Sequence, residues 1–253
     1  FKPEKTRRAM ASIIPPGVEW LQAAVTTFLP DDSSVLLDDG RKIQYQQLVV
    51  APGLELNWGG IEGLEATLGS NGVTSNYRYD LAPYTWQLVQ NLKQGRALFT
   101  QPPMPIKCAG APQKAMYLSA DHWLRESLLP DIKVEFYNAG AALFGVKEYV
   151  PALMEYVRRY QIDLNFQHNL VAVDGANRTA TFAVTDAEGN SERKTVEFDM
   201  LHVCPPQRAP EFVRNSPLAD AAGWGDVNPA TLQHKRYANV WSLGDAMNAP
   251  NAK

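Results

Sequence analysis

Between residues 82 and 160 the apolar pattern switches repeatedly between a helical period and short, fully apolar runs, and this alternation constrains the fold more than any other feature of the chain. Trp86, Val89 and Leu92 fall on one face of a helix over 82–95, with Gly95 as its C-cap. "RALFTQPP" then reads as a short apolar strand. Met116, Ala120, Trp123 and Leu124 return to helical spacing, "IKVEFYNAG" (132–140) is a second strand, and Val146, Val150, Leu153, Met154 and Val157 mark another helix. Strands without a polar face, alternating with amphipathic helices, predict an α/β class with a parallel sheet covered by helices.

The flanking segments read differently. Residues 17–53 alternate apolar and polar positions with Asp-Asp and Asp-Gly punctuation, which predicts short strands and turns ending in the buried run "QQLVVAPG". Residues 57–77 are Gly-rich and aperiodic, hence loop. "IDLNFQHNLVAVDG", "TATFAVTDAEGN" and "RKTVEFDMLHVCPP" predict a β-hairpin insert with a turn at Ala187–Asn190. No repeat or low-complexity tract is evident.

Composition narrows the function. With a formal net charge of −3, nucleic acid is not the expected partner. No apolar run approaches the roughly 18–20 residues that span a bilayer. The four histidines (122, 168, 202, 234) are scattered and lack zinc spacing, so no metal site is expected. Asn177-Arg178-Thr179 is a formal glycosylation sequon without secretory context. The chain opens at Phe1 and closes at Lys253 after "WSLGDAMNAPNAK", which we read as part of a longer protein.

The chemistry-bearing stretch is "PIKCAGAPQK" (105–114), a strand-to-helix turn of the kind that cradles phosphate in mononucleotide-binding units. As a G-x-G-x-x-G fingerprint it fails: Gly110 stands among Pro102, Pro103, Pro105 and Pro112. As a reactive-thiol site it does better. Cys108 lies just before a helix start, where the backbone dipole favours an anion, with Lys107 beside it. Two readings stand, a thiol nucleophile and a small buried hydrophobe. For Cys204, after the strand "DMLHVC" and before Pro205 and Pro206, the buried and inert reading is preferred. "LVVAPG" (48–53) and "ANVWSLGDAMN" (238–248) each end a strand in a glycine turn, and an Asp at such an edge can accept hydrogen bonds from a polyol.

In this order, "SIIPPGVEW", "LVVAPG", "PIKCAGAPQKAMYL", "AALFGVKEY", "MLHVCPP", "SPLADAAGWGDV" and "TLQHKRYANVWSLGD" resemble sulfide:quinone oxidoreductase, in the subgroup of the mitochondrial enzyme and its bacterial relatives. The resemblance implies a Rossmann-like FAD/NAD(P)-binding fold, with residues 1–80 a partial FAD-binding domain, 81–200 a complete second dinucleotide-type domain carrying the cysteine loop, and 201–253 a return to the FAD domain. It implies Cys108 as the first redox cysteine. It places Ala51, Pro52, Gly53, Gly244 and Asp245 against FAD, and Lys107, Gly110, Pro205 and Pro206 at the flank of the site. The family oxidises sulfide to a persulfide or polysulfide, with a small thiol or sulfite as sulfur acceptor, and passes electrons through FAD to quinone. It implies peripheral association with a bacterial or mitochondrial inner membrane and leaves the oligomeric state open. The family's G-x-G-x-x-G unit, second redox cysteine, quinone pocket and membrane anchor have no counterpart in this sequence, so the chain alone is expected to be inactive and not to retain FAD. Two alternatives are an NADH:quinone reductase with an irregular loop and a non-catalytic persulfide-carrying domain.

Overall fold

The computed structural model describes residues 3–249. In chain order the strands are β1 Val25–Leu29, β2 Ser34–Leu37, β3 Lys42–Gln44, β4 Leu48–Val50, β5 Glu55–Leu56, β6 Val73–Thr74, β7 Gly95–Gln101, β8 Ile132–Asn138, β9 Asp163–Phe166, β10 His168–Asp174, β11 Thr179–Thr185, β12 Ser191–Glu197, β13 Met200–His202, β14 Gln207–Arg208 and β15 Val240–Ser242. The α-helices are α1 Leu64–Thr67, α2 Ala82–Asn91, α3 Ala111–Arg125, α4 Val150–Arg159 and α5 Glu211–Arg214. Two compact units form: one from residues up to Pro52 together with those from Ala209 onward, the other from Gly53 to Arg208.

The second unit is built on a parallel sheet of order β6-β13-β7-β8-β9. β7, β8 and β9 follow one another through α3 and α4, the crossover expected when apolar runs alternate with amphipathic helices. Ala97, Leu98, Phe99 and Val134 are wholly buried, as strands covered on both faces require. Met116, Ala120 and Trp123 bury the inner face of α3 against Phe99 and Phe136. The Trp123 indole N–H donates to the Val89 carbonyl at 2.8 Å, tying α3 to α2. Midway along β8, the Glu135 carboxylate accepts both a bidentate pair from Arg96 and a bond from Lys133. These contacts hold its pKa below the usual carboxylate range despite burial, the largest effect, which pushes the other way. An antiparallel meander, β10-β11-β12, packs Leu170, Val173 and Phe182 onto Leu98 and Leu201.

The first unit holds the antiparallel sheet β1-β2-β3 and a parallel pair, β4 with β15. Phe212 on α5 stacks on Phe28 of β1 at 5.7 Å. His234 organises the final loops: Arg236 and Tyr237 backbone N–H groups donate to its Nδ1, and its Nε2 meets the Leu218 carbonyl.

The compact units divide at 52/53 and 208/209, and Ile61, Leu64 and Val73 share a core with Leu98, Tyr137 and Phe182. Three expectations need correction. The same packing puts α1 and β6 into the 57–77 stretch expected to be loop. Gly95 is not the cap of α2, which closes at Leu92. It opens β7 with φ 115°, and the Asp199 side chain fills the space a Cβ there would occupy. Trp86, expected on the buried face of α2, is half exposed, whereas Val89 is buried.

Candidate functional site

Within the second unit, β13 sits between β6 and β7, so the segments leaving these three strands share the C-terminal edge of the sheet. The β6 exit carries Ser75, Asn76 and Tyr77, the β13 exit carries Val203 to Gln207, and the β7 exit leads through the prolines to Cys108. Hydrogen bonds fasten both outer exits to the middle one. The Asn76 N–H donates to His202 Nε2 at 3.0 Å, and the Ser75 hydroxyl donates to the Val203 carbonyl at 2.7 Å. On the other side, the Lys107 N–H donates to Gln207 Oε1 at 2.5 Å, and the Cys204 N–H donates to the Thr100 hydroxyl at 3.2 Å. Lys107, Cys108, Cys204, Pro205 and Pro206 are thereby held on one network.

Cys108 occupies the left-handed region, with φ 74°. An L residue there costs roughly 1–2 kcal/mol relative to the right-handed region. Glycine is the usual solution at such a turn, and here a thiol occupies it. The Cys108 carbonyl accepts the Ala111 N–H at 3.0 Å, which locks the turn onto the start of α3. Gly110, by contrast, has an ordinary φ of −82° at the helix N-cap. Cys108 is partly accessible; Cys204 is buried.

Burial sets the electrostatics of this edge. It pushes the Cys204 thiol up to about 12, only partly countered by the Tyr77 hydroxyl, so Cys204 stays protonated at neutral pH. Burial likewise raises Tyr77, with further contributions from the sulfurs of Cys204 and Cys108. The Tyr77 hydroxyl is buried but makes no hydrogen bond of normal geometry, although it is close enough to Cys204 to influence the thiol. His202, fully enclosed and stacked on Phe99 at 5.8 Å, is pulled down to about 4 by burial, so its imidazole is neutral. Accepting from Asn76 at Nε2, it carries its proton on Nδ1.

The segments expected to meet a flavin sit at the ends of β4 and β15. The two strands pair in register from Leu48↔Val240 to Val50↔Ser242, so Ala51 and Pro52 leave the same edge as Gly244 and Asp245. Gly53 and Gly244 have φ of 78° and 69°, and nothing lies within 4 Å of where a Cβ on either would stand. The open Gly244 and the strand-end carboxylate of Asp245 suit the close approach of a polyol-bearing cofactor such as FAD. Among the described residues, no three His, Cys, Asp or Glu side chains group to hold a metal ion. Among the same residues, no helix is long and apolar enough to cross a membrane.

Sequence reasoning missed Tyr77 and His202. Tyr77 lies in the stretch read as loop. His202 was considered only as a metal ligand. The one available signal was the polar run Thr74-Ser75-Asn76-Tyr77 directly after a Gly-Val pair.

No family model matches the chain. It is 41% identical over 246 residues, 97% of its own length, to the mitochondrial sulfide:quinone oxidoreductase of Mus musculus. It is 41% identical over 255 residues to the corresponding protein of Dictyostelium discoideum. It covers 54% and 55% of these two relatives, so the chain spans about half the length of the curated proteins it matches. Among solved structures, the sulfide:quinone oxidoreductase of Aquifex aeolicus superposes with a TM-score of 0.74 at 19% identity, covering 91% of this chain and 57% of that one. The fold is therefore that of the FAD/NAD(P)-binding oxidoreductases, and over nearly its whole length the chain is homologous to about half of a mitochondrial-type sulfide:quinone oxidoreductase.

Proposed function

We propose that the chain is the part of an FAD-dependent sulfide:quinone oxidoreductase that presents its sulfur-carrying thiol, and that Cys108 is that thiol. The observation that carries the reading is the left-handed backbone of Cys108 at a strand-to-helix turn. A non-glycine residue held there stores strain that the rest of the loop must offset, and such strain concentrates at functional sites. Homology over nearly the whole chain supports the reaction class.

On this reading the second unit is a dinucleotide-type domain whose loop offers sulfur where glycines would admit a phosphate, and the first unit is the part of the FAD domain present here. When bound, FAD supplies a two-electron acceptor for the oxidised sulfur and a route onward to quinone. Ala51, Pro52, Gly53 and Gly244 would give it backbone contact, and Asp245 would accept hydrogen bonds from its polyol hydroxyls. Lys107, Gly110, Pro205 and Pro206 shape the flank around Cys108. Hydrosulfide attacks a disulfide, or its trisulfide form, between Cys108 and a second cysteine outside this sequence. One sulfur–sulfur bond breaks as another forms, leaving a persulfide on one cysteine and a thiolate on the other. A small thiol or sulfite then removes the sulfane sulfur. The enzyme would work at the surface of a quinone-bearing membrane, in mitochondria if it follows the relatives, whose names carry that word.

Replacing Cys108→Ser in the full-length protein tests the assignment. Sulfide-dependent quinone reduction is expected to fall by roughly a hundredfold or more. Retention of the normal rate would remove Cys108 from the mechanism. Reduction of the flavin by NADH, with sulfide inert, would instead favour an NADH:quinone reductase.

A further inference from the structure

We infer that the Tyr77 hydroxyl is a hydrogen-bond donor to anionic sulfur borne by Cys108. The inference rests on the reading of Cys108 as a sulfur-carrying thiol and adds the group that would hold the sulfur.

The sheet order supplies the first argument. Tyr77 and Cys108 leave strands on either side of β13, and both are tied to the segment 202–207, one through Asn76 and Ser75, the other through Gln207. Two loops anchored on one short segment cannot drift apart independently. Cys204 lies on that segment between them, and the hydroxyl and the two sulfurs are near enough to influence one another electrostatically.

The second argument is hydrogen-bond accounting. The Tyr77 hydroxyl is buried and makes no hydrogen bond of normal geometry, its influence on the Cys204 thiol notwithstanding, and buried hydroxyls are normally paired. Neighbouring groups are committed: the Ser75 hydroxyl donates to the Val203 carbonyl and accepts from the Tyr77 N–H. Cys204 is a protonated thiol, a weak acceptor. The ligand that satisfies this O–H is an acceptor arriving from the Cys108 side. A persulfide extends Cys108 by about 2 Å, the length of one sulfur–sulfur bond, and its terminal sulfur is an anion. The Tyr77 hydroxyl presents a neutral donor to it, while the Cys204 thiol is turned to the Pro205 carbonyl.

The test uses Tyr77→Phe in the full-length protein, with Cys108 followed by peptide mass spectrometry. Two readouts are taken: the rate at which iodoacetamide alkylates reduced Cys108 at pH 7.5, and the lifetime of the Cys108 persulfide after loading with inorganic polysulfide. Alkylation is expected to slow about threefold once the donor to the anionic sulfur is lost. Persulfide lifetime is expected to fall about tenfold. A purely structural role would move the melting temperature and leave both readouts alone. Unchanged alkylation and lifetime would overturn the inference. Slower alkylation in a protein whose Cys108 takes up no sulfane sulfur would sustain the Tyr77 contact and instead sink the sulfur-carrying reading. If Tyr77→Phe fails to fold, 3-fluorotyrosine at position 77, a stronger donor of the same shape, is expected to lengthen the persulfide lifetime; no change there would also overturn the inference.

Discussion

Both units contain parallel strands, but in different company. In the second unit β7 is flanked by β13 and β8, packed under α3, and buried from Ala97 to Gln101. In the first unit β4 is paired with β15 alone among the described strands, and Val49 at its centre is 57% exposed. A parallel strand is a good investment only when both faces are covered. The comparison locates stability in the second unit, and it leaves the proposed flavin edge in the more lightly packed one.

Trp123→Ala is the sharpest way to break this contrast. It removes a wholly buried indole and its bond to Val89, and should cost about 3–5 kcal/mol. Denaturant unfolding measures the loss, and hydrogen exchange should show it in β7 and β8. Acid comes next. His202 is held at about 4 in the folded chain, against an ordinary value near 6.5. Between those values the unfolded chain binds the extra proton, so stability rises with pH there and is lost as pH falls from about 6.5 to about 4. The loss is of order 3 kcal/mol, read from melting temperature against pH, and His202→Gln should flatten that slope. Cys108→Gly is smaller and opposite in sign: it relieves the left-handed strain at the cost of chain entropy, a net gain of at most about 1 kcal/mol. A variant that gains stability while losing sulfur chemistry would sharpen the case that the strain serves function. Smallest is Val49→Thr, expected to change stability by less than about 0.5 kcal/mol because the side chain is already in water. A larger effect would mean that the first unit's strand pair is covered in solution.

The β7–α3–β8–α4 succession was legible because its periodicity is local: Met116, Ala120 and Trp123 declare a buried helix face by spacing alone. The strand-to-helix turn that carries Cys108 was legible for the same reason. Its φ was not, since nothing in "PIKCAGAPQK" says that the thiol rather than Gly110 takes the glycine conformation. Tyr77 and His202 were illegible because their meaning lies in sheet order. His202 receives a bond from a backbone 126 residues away in sequence. α1 and β6 were illegible for a similar reason: Leu64 and Val73 reveal their burial only once the meander has folded over them.

The position of β13 sets a schedule for the living chain. It is the last strand of its sheet to be synthesised, yet it lies between β6 and β7, which are made about a hundred residues earlier. A ribosome emits roughly 5–20 residues per second, so for several seconds a nascent chain carries the Cys108 loop without Gln207, and the Tyr77 loop without His202. During that interval the thiol has no fixed neighbours and the gap between β6 and β7 is an open template for the wrong strand. Closure waits for residues 200–207 to emerge and pay the entropy of a long-range pairing. Truncated or stalled products ending before Met200 would therefore expose both an ungoverned cysteine and unpaired strand edges, and it is these, rather than the finished protein, that a cell would need to guard.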